Sequence, residues 1–189
     1  MHGVDVHPGF ATGKLVNASA LAGRILAALP ADRTPEATSG RDGFIHVFSV
    51  EGSAGKATIR AIVRDFDEDK LAEHVAVLRD IAERVVAEEP RARLDVDVRP
   101  QYPNMRVYLD EHPRVVAAAE EALRREGIEA VRTPIRGGTD GSVLSARGLP
   151  TPNLFTGGHE YHSVREWASV QEMASAAAVA VRLAGVWAG

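Results

Sequence analysis

Three short stretches hold the residues whose types and spacing could do chemistry. Near the end of the chain, Gly157-Gly158-His159-Glu160-Tyr161-His162 sets His162 behind a two-glycine turn that closes a short predicted strand. Loops at strand ends are good places to present a metal ligand. The string is not the HExxH zinc helix, because its histidine spacing is one residue short and its setting is a loop. Taken alone, His162 reads first as a loop histidine with no metal. Upstream, Arg136 precedes Gly137-Gly138-Thr139-Asp140-Gly141, and a short helix is expected next. Two glycines let backbone amides come close to a ligand, and a helix start favours an anion there. The guanidinium adds a two-pronged grip for a carboxylate. The plainer alternative is a tight turn beside an exposed arginine, with Asp140 capping the helix or bracing Arg136. Near the start, His7 stands beside the turn-forming Pro8 and Gly9.

The elements that must position these residues fall into two groups. An extended segment at 3–8 is followed by a helix over 15–29, where Leu21, Ile25 and Leu29 recur at helical spacing until Pro30 stops it. Residues 31–42 are loop. Strands at 43–50 and 56–66 flank Gly52-Ser53-Ala54-Gly55 and form a hairpin. A long amphipathic helix spans 67–88, with Leu71, Val75, Leu78, Ile81 and Val85 on one face. Residues 92–99 alternate as a last strand. That order is βαββαβ, the ferredoxin-like pattern, and Pro100 and Pro103 mark a hinge after it. The remainder alternates helix 112–126, strand 128–135, helix 141–147, strand 151–156 and helix 170–187. Ser169 and Glu172 form a capping box before the last helix. This is α/β layering with too few strands for a complete sheet.

Several segments in order resemble the peptidase T family of two-zinc exopeptidases: Val6-His7-Pro8-Gly9, KLVNAS at 14–19, IVRDFD at 62–67, YPNM at 102–105, PIRGGTDG at 134–141 and NLFTGGHEYH at 153–162. The resemblance implies a tripeptide aminopeptidase in which a ferredoxin-like lid is set into an α/β zinc-binding domain. Residues 1–110 would then be the lid, and 111–189 the C-terminal part of the catalytic domain. It further implies that His162 is the last zinc ligand, with Glu160 where the family has Asn. His7 is implied as the lid histidine that steadies the developing oxyanion, and Arg136, Gly137 and Gly138 as the holders of the substrate carboxylate. Asn104 is implied as a lid residue contacting substrate at the hinge.

One histidine does not make a zinc site, which needs about four ligands. The family's other ligands and its general base lie ahead of the lid, and the chain begins after that point. No His-x-Asp occurs. The pairs Glu88-Glu89 and Glu120-Glu121, and Asp95 with Asp97, are expected to be solvated surface. His46 is expected to pack within its strand, and His2, His74 and His112 to lie at the surface. The chain alone is therefore expected not to hydrolyse peptides. It could be a fragment, half of a split enzyme, or a non-catalytic dimerising or peptide-binding module, with strand 56–66 or 92–99 at a sheet edge. The strands near 131 and 154 would be uncovered, giving dimerisation, rearranged packing or local disorder.

Bulk composition agrees with a globular chain. Hydrophobic residues are 45% and charged residues 25% of 189. A net charge of −4 offers no general attraction to nucleic acid or anionic membrane. There is no cysteine, hence no disulfide and no thiolate. No stretch reads as a signal peptide or a membrane span, and a cytoplasmic location is expected.

Overall fold

The computed structural model describes residues 1–189, which divide into two compact units, Met1–Arg99 and Pro100–Gly189. In the first unit, a single turn of 3-10 helix at Pro8–Phe10 precedes α1 (Ala18–Ala28). Asn17 caps α1 by accepting a hydrogen bond from the Ala20 amide at 3.2 Å, and the helix ends at Leu29, before Pro30. Strands β1 (Phe44–Gly52) and β2 (Ala57–Arg64) form the expected hairpin. Its register runs from Phe44 opposite Arg64 to Gly52 opposite Ala57, with Phe48 as an extra residue between Val47 and Ser49. Helix α2 (Glu68–Ala87) follows, capped by Asp67, whose carboxylate accepts from the Asp69 and Lys70 amides.

Backbone pairing completes the sheet order of a ferredoxin-like domain. Met1 exchanges hydrogen bonds with Ala57 across the start of β2, and His2 exchanges them with Arg93 on its other side. The order across the sheet is thus residue 93, residues 1–2, β2, β1. Residue 3 must be glycine: a Cβ there would lie 2.1 Å from the Val16 carbonyl oxygen. Val4 then turns away to pair with Val16. The expected strand at 92–99 is accordingly reduced to its contact at Arg93. In an antiparallel register about His2 and Arg93, positions beyond 94 have no residue of the 1–4 segment to face. Val96 and Val98 are exposed as a result. Met1 and His2 flank β2 only at Lys56 and Ala57, and from Thr58 to Arg64 its one ladder partner is β1.

Val16, Leu21 and Ile25 meet Ile81, Val85 and Val86 in the core between α1 and α2, with Ile59 of β2 beneath them. Two histidines depart from expectation. His46 is exposed on the outer face of β1, because Ile45 and Val47 take the inward positions. His74 is buried: its Nε2 lies 3.2 Å from Asp65 Oδ2 and its Nδ1 lies 3.5 Å from Arg33 Nη1. Arg33 in turn bonds Glu73 at 2.8 Å. This group ties the end of β2 to α2 and to the loop after α1.

The second unit is helical. It holds α3 (Arg106–Glu111), α4 (Pro113–Arg125), α5 (Asp140–Ala146), a two-residue ladder of β3 (Gly158–His159) with β4 (Trp167–Ala168), and α6 (Val170–Ala188). α4 packs on α6 through small residues, with Ala118, Ala119, Ala122 and Val179 buried. The strands expected at 128–135 and 151–156 are absent as strands, because this chain places no neighbouring strand beside them. No helix is long and apolar enough to cross a membrane.

Ile25→Ala should destabilise the first unit by about 2–5 kcal/mol, by removing fully buried methylenes. His74→Ala should cost about 1–3 kcal/mol, by leaving the buried Asp65 carboxylate without its ring partner. Phe48→Ala, on the open face, should stay within about 0.5 kcal/mol. Urea unfolding of the three variants checks this ordering.

Candidate active site

His7 belongs to the first unit; Asn104, Arg136, Gly137, Gly138 and His162 belong to the second. His7 caps the turn at Pro8–Phe10. Its Nδ1 accepts a hydrogen bond from the Gly9 amide at 3.1 Å. In a neutral imidazole with Nδ1 accepting, the proton sits on Nε2. The turn therefore converts His7 into a donor whose N–H is directed away from its own backbone. The ring is exposed, and the exposed Phe10 ring stands beside it at 5.4 Å between centroids.

Asn104 is half-buried, and its Oδ1 accepts from the Arg106 amide at 2.9 Å, starting α3. Its amide nitrogen is the group left for a ligand. Gly137 is open, with nothing within 4 Å of where a Cβ would stand. Gly138 is the opposite: a Cβ would lie 1.7 Å from the Tyr102 ring. So the second glycine of the pair is required by Tyr102, and Gly137 is the one whose backbone faces open space. Arg136 is half-buried just before them. Thr139 stands at the N-terminal end of α5 but does not cap it with its side chain.

His162 sits in a strained loop. Glu160 and His162, at φ 55° and 65°, are the chain's two non-glycine residues in the left-handed region. Such strain persists only where surrounding contacts impose it, and it gathers at functional positions. The contacts are visible here. The His162 amide donates to Glu166 Oε2 at 2.8 Å. His159 faces Trp167 across the ladder, and their rings stack at 4.1 Å. His159 Nε2 lies 2.6 Å from Glu172 Oε2 in the first turn of α6. Gly157 presses so closely on α6 that a Cβ would lie 2.8 Å from the Met173 amide nitrogen.

These contacts correct the expected capping box. Ser169 does accept from the Glu172 amide at 3.3 Å. The return arm is diverted: the Ser169 amide donates to the Gly157 carbonyl at 2.8 Å, and the Glu172 carboxylate goes to His159. Glu166, Trp167 and Tyr102 were not among the residues singled out from the sequence. A charge three residues after a cap signals a cap, and only the fold shows that the same carboxylate reaches back to a hairpin.

The carboxylate pairs singled out above are engaged elsewhere. Arg124 and Arg125 hold Glu121 down at about 2, Arg132 lowers Glu120, and Arg91 lowers Glu89. A general base at neutral pH needs the opposite shift. Glu88 pairs with Arg24, and Asp95 with His2. No three His, Asp or Glu side chains converge as a metal site. The donors of this chain therefore do not fit a complete zinc centre.

Residues 1–90 match the peptidase dimerisation domain model. Over 185 residues the chain is 46% identical to peptidase T of Serratia proteamaculans, covering 97% of this chain and 45% of that protein. It is 42% identical over 185 residues to peptidase T of Shouchella clausii, covering 98% and 45%. It superposes on the aminopeptidase PepT of Bacillus cereus with a TM-score of 0.73 and 25% identity, covering all of this chain and 50% of that one. A tripeptidase of Staphylococcus aureus shares the fold, with a TM-score of 0.71 at 20% identity. The first unit is a peptidase dimerisation domain of ferredoxin-like form. The chain as a whole belongs to the peptidase T family, and it spans about 45% of the length of the curated relatives it matches.

His159→Ala should release the hairpin from α6. Faster amide exchange over residues 158–167 and a shift in Trp167 emission are the expected results; an unchanged exchange pattern would remove His159 and Glu172 as the clamp on His162.

Proposed function

We propose that this chain supplies the lid and the C-terminal part of the catalytic unit of a tripeptide aminopeptidase. The observation that carries the proposal is the extent of the similarity, which runs over 97% of the chain and so through both units. In this reading residues 1–110 act as the lid and 111–189 as catalytic-domain sequence. His7 Nε2–H donates to the scissile carbonyl oxygen as negative charge develops, in the orientation fixed by the Gly9 amide. Arg136 and the open Gly137 backbone hold the peptide carboxylate, and the Asn104 amide adds a donor to the substrate backbone. His162 contributes one imidazole to a zinc site whose other ligands are not among the residues of this chain. The protein works in the cytoplasm on small peptides, and its first unit pairs two subunits as a homodimer.

A second reading is a dimerising module without catalysis. The match of residues 1–90 to a dimerisation domain favours it, as does the free outer edge of β1, a template for a second strand.

Tripeptide hydrolysis separates the two. The purified chain with zinc should show no turnover. The chain joined to the unmatched segment of the Serratia protein should turn over a tripeptide. There His7→Ala should lower kcat by about 10²–10³ with little change in KM, and Arg136→Ala should chiefly raise KM. Hydrolysis by the chain alone, unaffected by His162→Ala, would overturn the proposed division of the site. No hydrolysis by the joined protein, with a dimer present, would favour the module.

A further inference from the structure

Residues 5–15 form a loop between Val4 and Val16, which pair with each other, and the loop carries His7 near its start. A relay of hydrogen bonds ties the loop internally. The Gly9 amide donates to His7 Nδ1 at 3.1 Å, and the Phe10 amide to the His7 carbonyl at 2.9 Å. The Ala11 amide donates to the Pro8 carbonyl at 3.3 Å. The Lys14 and Leu15 amides both donate to the Ala11 carbonyl, at 2.9 and 3.0 Å. Each link constrains the next, from Leu15 back to the imidazole.

The far end of the relay is held from another element. Arg91 Nη1 donates to the Gly13 carbonyl and to the Lys14 carbonyl, each at 3.1 Å. Arg91 Nε and Nη2 donate to the two carboxylate oxygens of Glu89, each at 2.8 Å. A two-pronged pair of this kind fixes the plane of the guanidinium, which leaves Nη1 aimed at the loop. Each partner favours the other's charged form: the hydrogen bonds from Arg91 hold the Glu89 carboxyl below its ordinary value, and Glu89 raises Arg91. The backbone beneath is anchored too. The Ala92 amide closes a turn onto the Glu89 carbonyl at 2.9 Å, and Arg93 pairs with His2 in the sheet. The brace thus stands on the end of α2 and on the sheet.

An exposed ion pair contributes little to stability. What Glu89 and Arg91 add is direction, a fixed donor fork pointed at two carbonyls of the loop that bears His7. We infer that Arg91, braced by Glu89, is a positioning residue for His7: it holds the loop so that the imidazole keeps its Nδ1 on the Gly9 amide and its Nε2–H free to donate. The use of that N–H on a scissile carbonyl rests on the function proposed above; the mechanical link from Arg91 to His7 does not.

Two measurements test the link. In the chain itself, nitrogen-15 NMR of the histidine rings reads the His7 tautomer at mildly alkaline pH, where the imidazole is neutral. The parent should show the Nε2–H form. Arg91→Ala should move the signals toward a mixture of both tautomers, with amide exchange at Gly9 and Phe10 faster by about tenfold. Arg91→Lys should lie between the two, because an ammonium has no fork to share between Glu89 and two carbonyls. The exposed His46 of β1 is the control, and its signals should not move. In the joined polypeptide of the preceding subsection, Arg91→Ala should lower kcat on a tripeptide by about tenfold with KM little changed. It should have no further effect once His7 is alanine, since a residue that acts through His7 has nothing left to act on. An unchanged His7 tautomer and unchanged Gly9 exchange in Arg91→Ala would overturn the inference. So would a loss of kcat that persists undiminished in the His7→Ala background. A shifted tautomer in Arg91→Ala, with no tripeptide turnover by the joined protein, would remove the proposed activity and leave the brace standing.

Discussion

Met1 and His2 hold the first unit's sheet together. Their backbone groups exchange hydrogen bonds with Ala57 on one side and Arg93 on the other, so two residues join a hairpin to the segment after α2. The sheet gives α1 and α2 a surface to pack on, and the core of Ile25, Ile81 and Val85 exists because that surface is continuous. The pairing also sets where the chain leaves the sheet. Val4 pairs with Val16, and the turn at Pro8–Phe10 follows within a few residues. His7 is thus carried at the end of an anchored segment, and its ring is fixed by one further hydrogen bond to Gly9. The donor character proposed for Nε2 traces back to backbone pairing five residues earlier.

The second unit shows the same rule from its other side. A strand's amides and carbonyls are satisfied by a neighbour or by water. Residues 128–135 and 151–156 have strand-like sequence and no neighbouring strand, so they form no ladder. What order this unit has comes from helix packing and from local clamps. Small residues let α4 and α6 approach closely, and Tyr102 lies against Gly138 where any side chain would collide. The glycine pair after Arg136 therefore has two different causes, one of packing and one of open backbone.

Elements whose signal is local were legible in the sequence. Asn17 and Asp67 mark helix starts, Pro30 marks a stop, and the alternation of β2 with the glycine-bounded linker marks a hairpin. Elements that need a distant partner were not. The alternation of Leu94, Val96 and Val98 looks like a strand, yet only Arg93 has a partner. His74 resembles a surface residue on a charged helix, and its burial depends on Asp65 and Arg33 arriving from other elements. At the site, residue identities were readable from motifs. The strain at Glu160 and His162, and the diversion of Glu172 from its cap to His159, arise from tertiary contacts that no spacing encodes.

That diversion bears on whether the chain could assemble a metal centre from its own residues. His159 and Glu160 are the nearest candidates in sequence to supplement His162. His159 is held by Glu172 and covered by Trp167, so binding a metal there would cost both contacts. Glu160 is turned by its left-handed backbone and lies 3.5 Å from Arg165. Glu120 and Glu121 are paired with arginines that favour their charged, bonded form. His159, Glu160, Glu120 and Glu121 thus each have a structural partner already. The hairpin holds the His162 backbone through Glu166 and keeps the neighbouring His159 occupied, an arrangement that accords with the proposed role of His162 as one ligand of a site shared with another segment.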